Sequence, residues 1–295
     1  MAEDRSVAQD HGVRQYTALS ASFTGPESTS SGSATRPIVL LHGFTQTGAS
    51  WAPIVAELRS RAPIIVPDAP GHGGSSRVRA DLWRTADLLV ETVGRPALWV
   101  GYSMGGRMAL HVALAHPDQV EGLVLISTTP GIDSPEQRKA RRAADDALAE
   151  RIHTEGTEAF LDFWLAQPLF GTLPPDSARR EARLANKEDG LASSLRLAGT
   201  GSQEPLWDRL AQLKKRSLPV LLIAGELDRK YSDEAARMAS AIGPTARVVI
   251  VSGAGHACHL EHPRVVAAAI DAMADEIGAS SFGQDGSSEG KPNSQ

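Results

Sequence analysis

The sequence predicts an α/β fold, in which a mostly parallel, doubly wound sheet carries an inserted helical cap. Three observations predict it: short apolar runs recur along the chain, helical spacing separates most of them, and one long interval lacks a strand-like run. Continuous apolar runs are typical of strands that are buried on both faces. Their alternation with helices indicates an open parallel sheet covered by helices.

Six apolar runs and five helical segments form the predicted core, which comprises residues 37–132 and 214–278. We expect strands at 38–41, 64–66, 97–100, 123–126, 220–223 and 248–251. We expect helices at 50–58, 81–93, 104–115, 232–242 and 263–276. Together these segments predict one large domain.

The interval 133–213 holds charged amphipathic sequence and an apolar-aromatic patch, AFLDFWLAQPLF. Its position between two core strands predicts a helical cap above the carboxyl ends of the sheet, where such folds bind ligands. The alternative is a second, independent helical domain.

Both termini have compositions that cannot bury much apolar surface. Residues 1–36 are predicted to be a flexible extension, in which Val13, Tyr16 and Leu19 can form an edge strand at 13–19. Residues 279–295 contain only one large apolar residue, Phe282, and are predicted to be a disordered tail.

Composition excludes several classes of partner. The 295 residues carry a formal net charge of −5 and no basic stripe, which argues against nucleic acid. The first 15 residues lack the apolar core of a secretory signal, and no apolar run is long enough to span a membrane. Cys258 is the only cysteine, so no intrachain disulfide can form. We expect a cytoplasmic monomer or homodimer that acts on a small molecule.

The pentapeptide GYSMG at 101–105 follows one predicted strand and opens a predicted helix. Glycines on either side of a serine permit the strained turn that lifts a nucleophile above a sheet. Gly286, Ser288 and Gly290 match the same pattern, but they lie in the predicted tail. The context therefore selects Ser103 as the candidate nucleophile.

A serine nucleophile needs a base and a group that orients the base. His256 lies in the loop GAGH directly after the last predicted strand, and Asp228 follows the strand at 220–223. In strand–turn–helix sites the acid and then the histidine follow the serine in the chain. Asp228 is therefore the predicted orienting acid, with Glu226 as the alternative.

His259 and His262 follow His256 at three-residue spacing. A metal site is one interpretation, but no cysteine pair or suitably placed carboxylate supports it. Histidines on a helix surface are the favoured interpretation for these two residues.

An oxyanion hole requires two backbone N–H groups directed at a developing negative charge. We expect one from Met104, directly after the candidate nucleophile. The other is expected from Phe44, in the loop HGFTQ after the first core strand. His42 in the same loop is predicted to be structural.

From residue 37 to about 277 the sequence resembles the α/β-hydrolase superfamily. Within it, the sequence is similar to the 2-succinyl-6-hydroxy-2,4-cyclohexadiene-1-carboxylate synthases of menaquinone biosynthesis. The matching segments are HGFTQTGASW (42–51), DAPGHGGS (68–75), GYSMGGRMAL (101–110), STTPGI (127–132), FWLAQPLF (163–170), GLASSLRLAGTGSQ (190–203) and GAGHACHLEHP (253–263).

The narrower resemblance implies a lyase. Such an enzyme eliminates pyruvate from 2-succinyl-5-enolpyruvyl-6-hydroxy-3-cyclohexene-1-carboxylate, with Ser103, His256 and Asp228 acting as a base rather than forming an acyl-enzyme. It also implies that no cofactor or metal is needed. The alternatives are a serine hydrolase of esters or carbon–carbon bonds in anionic substrates, and a noncatalytic receptor with this fold.

A substrate with three carboxylates needs cationic partners. Arg107 lies one helical turn beyond Ser103 and can face the same crevice. Arg141 and Arg183 in the cap are predicted to hold further carboxylates. Trp164 is predicted to wall the ring, and Tyr102 is assigned to substrate binding. The alternative cap ligands are Arg138, Arg142 and Arg180.

Overall fold

The computed structural model describes residues 18–24 and 36–282. Its sheet has seven strands in the order β1-β3-β2-β4-β5-β6-β7. All neighbouring pairs are parallel except β1 with β3, which is antiparallel. The strands are β1 Ala21–Thr24, β2 Ile38–Leu41, β3 Ile64–Pro67, β4 Ala97–Tyr102, β5 Val120–Ile126, β6 Val220–Gly225 and β7 Ala246–Val251.

Helices connect the parallel strands and cover the sheet. They are α1 Ala52–Glu57, α2 Leu82–Val93, α3 Met104–Ala115, α4 Pro135–Leu165, α5 Arg180–Arg183, α6 Glu188–Ala198, α7 Ala211–Lys215, α8 Arg229–Ile242, α9 Cys258–Glu261 and α10 Pro263–Phe282. The predicted α/β fold is therefore confirmed, as are all six predicted core strands and all five predicted helices.

The central strands are buried on both faces, as their continuous apolar runs require. In β2, Val39 and Leu41 belong to one apolar cluster, whereas Ile38 and Leu40 belong to another on the opposite face. The first cluster also contains residues of α2, α3 and α8, and the second contains residues of α1 and α10. These two layers hold the carboxyl ends of the strands in a fixed arrangement.

The amino-terminal prediction was wrong for residues 21–24, because β1 lies inside the predicted flexible extension. Its backbone pairs with β3 from Ala21↔Pro67 to Thr24↔Ile64, and Leu19 before it is buried. The edge strand thus begins after the predicted segment 13–19, of which Val13 and Tyr16 lie outside the described residues. Main-chain ladder bonds stabilise an edge strand whatever its side chains, so such a strand needs no apolar pattern by which it could be predicted.

The carboxyl-terminal boundary also needs a correction. Helix α10 continues to Phe282 and so includes residues 279–282 of the predicted tail. Once tertiary packing has nucleated a helix, each further residue adds a backbone hydrogen bond, so the helix can continue past its apolar positions. Residues 283–295, with the second Gly-x-Ser-x-Gly match, lie outside the described residues.

The interval 133–213 forms helices that pack on each other and on the sheet domain. Helices α4 and α6 share a small apolar cluster, which Phe44 of the sheet domain joins. Leu206 and Leu210, near the end of the interval, belong to the main core. This shared packing favours a cap over an independent helical domain. No helix among the described residues is long and apolar enough to cross a membrane.

Helix α3 packs closely on β2. A Cβ atom at Gly105 would clash with the carbonyl oxygen of Leu41, and one at Gly101 would clash with the carbonyl oxygen of Gly105. These neighbours are backbone atoms, which cannot move aside as a flexible side chain can. Both glycines of the GYSMG segment are therefore required by packing.

We predict that Gly105→Ala lowers the free energy of unfolding by about 3 kcal/mol, because the added methyl overpacks a backbone contact. Gly278→Ala is the matched control, since a Cβ atom there meets nothing within 4 Å. It should stabilise α10 by up to about 1 kcal/mol through helix propensity. Urea unfolding of the two variants measures both effects, and equal stabilities would contradict the packing argument.

Candidate active site

The turn between β4 and α3 holds Ser103 in a strained conformation. Its φ is 51° and its ψ is −107°, a region that residues with a side chain rarely adopt. The Ser103 N–H donates to the carbonyl oxygen of Ile126 on β5 at 2.8 Å. The turn thus projects the hydroxyl from the carboxyl edge of the sheet into a cleft.

Three side chains from separate loops meet at this edge. Ser103 Oγ lies 3.2 Å from His256 Nε2, and His256 Nδ1 lies 2.7 Å from Asp228 Oδ2. Both His256 and Asp228 are buried. Because the carboxylate accepts the hydrogen of Nδ1, Nε2 is left to accept the proton of the serine hydroxyl. The alternative acid, Glu226, instead accepts bonds from Ser252 Oγ and the Gly253 N–H.

The interpretation of His259 as a helix-surface residue was wrong. His259 is fully buried, with its ring centre 4.0 Å from that of Tyr102 and 5.1 Å from that of Trp51. Burial lowers the pKa of His259 well below its usual value, so the ring is neutral. Among the described residues no cluster of His, Cys, Asp and Glu could hold a metal ion.

The two residues predicted to supply oxyanion-hole N–H groups lie beside the serine. Met104 is the first residue of α3, so its N–H has no partner within the helix. The N–H of Phe44 makes no hydrogen bond to another described residue. Both residues line the cleft with Ser103. The positive end of the α3 dipole adds to the attraction for an anion at this point.

The loop that carries Phe44 is held by Thr45, whose φ of 65° is unusual for a branched residue. The Thr45 hydroxyl accepts from Arg183, and its carbonyl oxygen accepts from Asn186 Nδ2 at 2.7 Å. Its N–H donates to His72 Nε2 at 3.3 Å. Since Arg183 and Asn186 belong to the 133–213 interval, cap and loop are tied together.

His42 has the structural role that the sequence predicts. Its Nε2 accepts from the Ala69 N–H at 3.0 Å, and its Nδ1 lies 2.9 Å from the carbonyl oxygen of Gly43. Burial lowers the pKa of His42, which keeps the ring neutral in this role.

The cleft has a volume of about 650 Å³, its open mouth included. Of the predicted substrate-binding residues, Arg107, Arg141 and Trp164 line it, whereas Arg183 and Tyr102 do not. Sequence reasoning missed its other polar lining residues, Thr128, Thr129, Ser194, Thr200 and Tyr231. Thr128 and Thr129 could have been selected as cleft residues because they follow the end of β5. Tyr231 could have been selected because it lies one helical turn after Asp228.

Two arginines bring positive charge into this cleft. Arg107 is buried and donates to the Ala198 carbonyl oxygen at 2.6 Å and to Gln203 Oε1 at 3.2 Å. Burial lowers its pKa to about 10, so it remains charged at neutral pH. Arg141 is oriented by the buried carboxylate of Asp145, which accepts from its Nε at 2.7 Å.

The other candidate arginines lie elsewhere. Arg183 is fully buried and bonds Ala178 and Thr45, behind the loop of Phe44. Arg138 and Arg142 donate to nearby carbonyl oxygens, and Arg180 pairs with two cap carboxylates. None of these four residues lines the cleft. Spacing alone could not separate cleft arginines from those that hold the fold.

Comparison with known proteins agrees with this geometry. Residues 38–269 match the model of the alpha/beta hydrolase family, and the chain belongs to that family. A Bacillus subtilis (strain 168) protein, provisionally named a 2-succinyl-6-hydroxy-2,4-cyclohexadiene-1-carboxylate synthase, is 37% identical over 79% of this chain and 88% of its own. A Photorhabdus laumondii synthase of the same name is 34% identical over 79% of this chain and 84% of its own.

A solved structure is also similar along most of the chain. The structure of MenH from S. aureus superimposes with a TM-score of 0.78 at 30% sequence identity. The match covers 88% of this chain and 98% of that chain.

The buried ring of His72, which accepts a hydrogen bond from the loop of Phe44, makes the stability of the fold depend on pH. Burial lowers the pKa of His72 to about 3, whereas an unfolded histidine titrates near 6.5. Between these values the unfolded chain binds a proton that the folded chain does not, so stability is lost as the pH falls through this window. Protonated Nε2 could no longer accept from the Thr45 N–H.

We predict that His72→Gln makes the unfolding free energy less dependent on pH below 6.5, by about 1.4 kcal/mol per pH unit. The Gln amide oxygen can still accept from Thr45 but does not titrate. Urea unfolding at pH 7, 6 and 5 measures the difference in slope between variant and wild type. Parallel pH profiles would show that His72 does not contribute to acid destabilisation.

Proposed function

We propose that the protein is a lyase that eliminates pyruvate from 2-succinyl-5-enolpyruvyl-6-hydroxy-3-cyclohexene-1-carboxylate. The product is 2-succinyl-6-hydroxy-2,4-cyclohexadiene-1-carboxylate, an intermediate of menaquinone biosynthesis. The observation that carries the proposal is the presence of two arginines, Arg107 and Arg141, in the cleft of the serine. Relatives with the synthase name, at 37% and 34% identity, support it.

The charge of the cleft distinguishes this substrate from a neutral ester. Arg107 is buried and has no carboxylate partner among the described residues. A buried cation of this kind is costly unless an anion meets it. A polycarboxylate substrate supplies such an anion, whereas a neutral ester does not.

In the proposed reaction the three residues of the triad act as a base. His256, oriented by Asp228, takes the hydroxyl proton of Ser103 while Ser103 Oγ removes the ring proton next to the succinyl ketone. The electron pair of the broken C–H bond moves into the ketone, and the enolate oxygen receives the N–H groups of Phe44 and Met104. Electrons then return through the ring double bond and break the C–O bond to the enolpyruvyl group, which leaves as the enolate of pyruvate. This enolate takes up a proton on its methylene carbon to become pyruvate, and His256 gives up the proton that it took from Ser103.

Arg107 and Arg141 hold carboxylates of the substrate in this proposal, and Trp164 lies against its ring. The aromatic neighbours of Trp164 support that role, since Phe44, Phe160 and Phe170 all lie within 6 Å of it between ring centres. Arg183 acts through the Thr45 loop, and Tyr102 acts through its contact with His256, at 5.4 Å between ring centres. Neither is proposed to touch the substrate.

A serine hydrolase of anionic substrates is the second candidate. The bond between Ser103 Oγ and His256 Nε2 favours it as much as the lyase, because the same pair can activate the serine for covalent attack. The two functions differ in whether the serine becomes acylated.

We predict that Ser103→Ala lowers the rate of pyruvate release from the synthase substrate by about 10²–10⁴-fold, since general-base catalysis contributes about this much. Diene absorbance and coupled pyruvate release measure the rate. The matched control is Ser240→Ala on the exposed side of α8, which should leave the rate unchanged. Turnover of aryl esters without pyruvate release would favour the hydrolase instead.

We predict that Arg107→Gln raises the KM for this substrate at least tenfold, because a charge-assisted bond to a carboxylate contributes about 1.5–3 kcal/mol. Steady-state kinetics measure KM and kcat. Arg216→Gln is the control, since Arg216 pairs with Asp118 on the surface, away from the cleft. An unchanged KM would show that Arg107 only supports the fold.

A further inference from the structure

Tyr231 is a polar residue of the cleft that the proposed mechanism does not use. It lies in the first turn of α8, three residues after Asp228. Its ring centre is 4.5 Å from that of His256, at an interplanar angle of 51°. The ammonium of Lys230 lies over the ring, 5.2 Å from the ring centre. The ring is therefore held against the base of the triad.

The hydroxyl of Tyr231 is free to bond a ligand. No hydrogen bond joins it to another described residue, and the side chain lines the cleft beside Ser103. Burial raises the pKa of Tyr231 even though the nearby arginine charges act to lower it. At neutral pH the phenol is therefore a neutral hydrogen-bond donor.

The charges around this hydroxyl indicate that the ligand group beside it is an anion. The two cations that act on it most strongly are Arg141 and Arg107, which line the same cleft. Each guanidinium has five N–H donors, of which the bonds to Asp145, Ala198 and Gln203 use only some. Because all three side chains line one cleft, an anion that binds both arginines is within the same cleft as the phenol.

We infer that Tyr231 is a positioning residue whose hydroxyl donates a hydrogen bond to the substrate carboxylate that Arg107 and Arg141 hold. A carboxylate has about four lone-pair positions, so it can accept from the phenol in addition to two arginines. Because the same ring packs on His256, this bond fixes the substrate relative to the base. The inference rests on the proposed function for the identity of the substrate.

Tyr231→Phe tests the bond, because it removes the hydroxyl and keeps the ring against His256. The expected result is a KM for the synthase substrate about tenfold higher, with kcat within about twofold of wild type. Lys230→Gln is the control, since it removes the charge outside the ring without reaching the cleft, and its KM should be unchanged. Thermal melting of both variants checks that they are folded.

A second readout does not depend on turnover. Tricarballylate, a simple tricarboxylate, is titrated into wild type and Tyr231→Phe while tryptophan fluorescence is followed, because Trp164 lines the cleft. Its affinity for the variant should be about tenfold weaker. If wild type binds tricarballylate about tenfold more tightly than the variant but does not release pyruvate from the synthase substrate, the proposed function fails and the inference stands.

Three results would overturn the inference. The first is a Tyr231→Phe variant with the KM and tricarballylate affinity of wild type. The second is a fall in kcat at unchanged KM, which would place the hydroxyl at the reacting atoms. The third is a wild-type protein that does not bind tricarballylate.

Discussion

The structure depends on one backbone contact, the approach of α3 to β2 without a side chain between them. Gly105 permits this approach, and Gly101 permits the tight turn that precedes it. With both in place, Ser103 is held at a φ of 51° and the amino end of α3 points at the cleft. The candidate nucleophile and one candidate oxyanion donor thus come from a single tightly packed turn, which the surrounding parallel sheet keeps in its strained form.

A second constraint is the burial of positive charge. Arg107 and Arg183 are both buried, and burial lowers the pKa of each to about 10. Their surroundings differ: Arg183 is bonded to the Thr45 loop behind the site, whereas Arg107 opens on the cleft. One cation therefore shapes the loop that carries Phe44, and the other is available to an anionic ligand. The cap contributes to both tasks, through Arg183 and Asn186 at the loop and through Arg141 in the cleft.

Local sequence was sufficient to predict the core strands and the three polar side chains that meet at their carboxyl ends. Each parallel strand is a continuous apolar run, because burial on both faces admits few polar residues. Ser103, Asp228 and His256 could be selected as candidates because each lies in the turn or loop after such a run, and parallel strands bring their carboxyl ends to one edge. Strand β1 could not be predicted in this way, since an edge strand is held by main-chain bonds that need no apolar pattern.

The sequence by itself therefore determined the α/β architecture, the chain order of the three catalytic candidates and the donors expected beside them. Tertiary structure alone decided which cationic and aromatic side chains share the cleft. It separated Arg107 and Arg141 from Arg183, buried His259 behind Tyr102, and placed Tyr231 against His256. The physical reason is that strand and turn signals act over a few neighbouring residues. Whether an arginine meets a carboxylate, a carbonyl oxygen or open space depends instead on residues that lie far away in the chain.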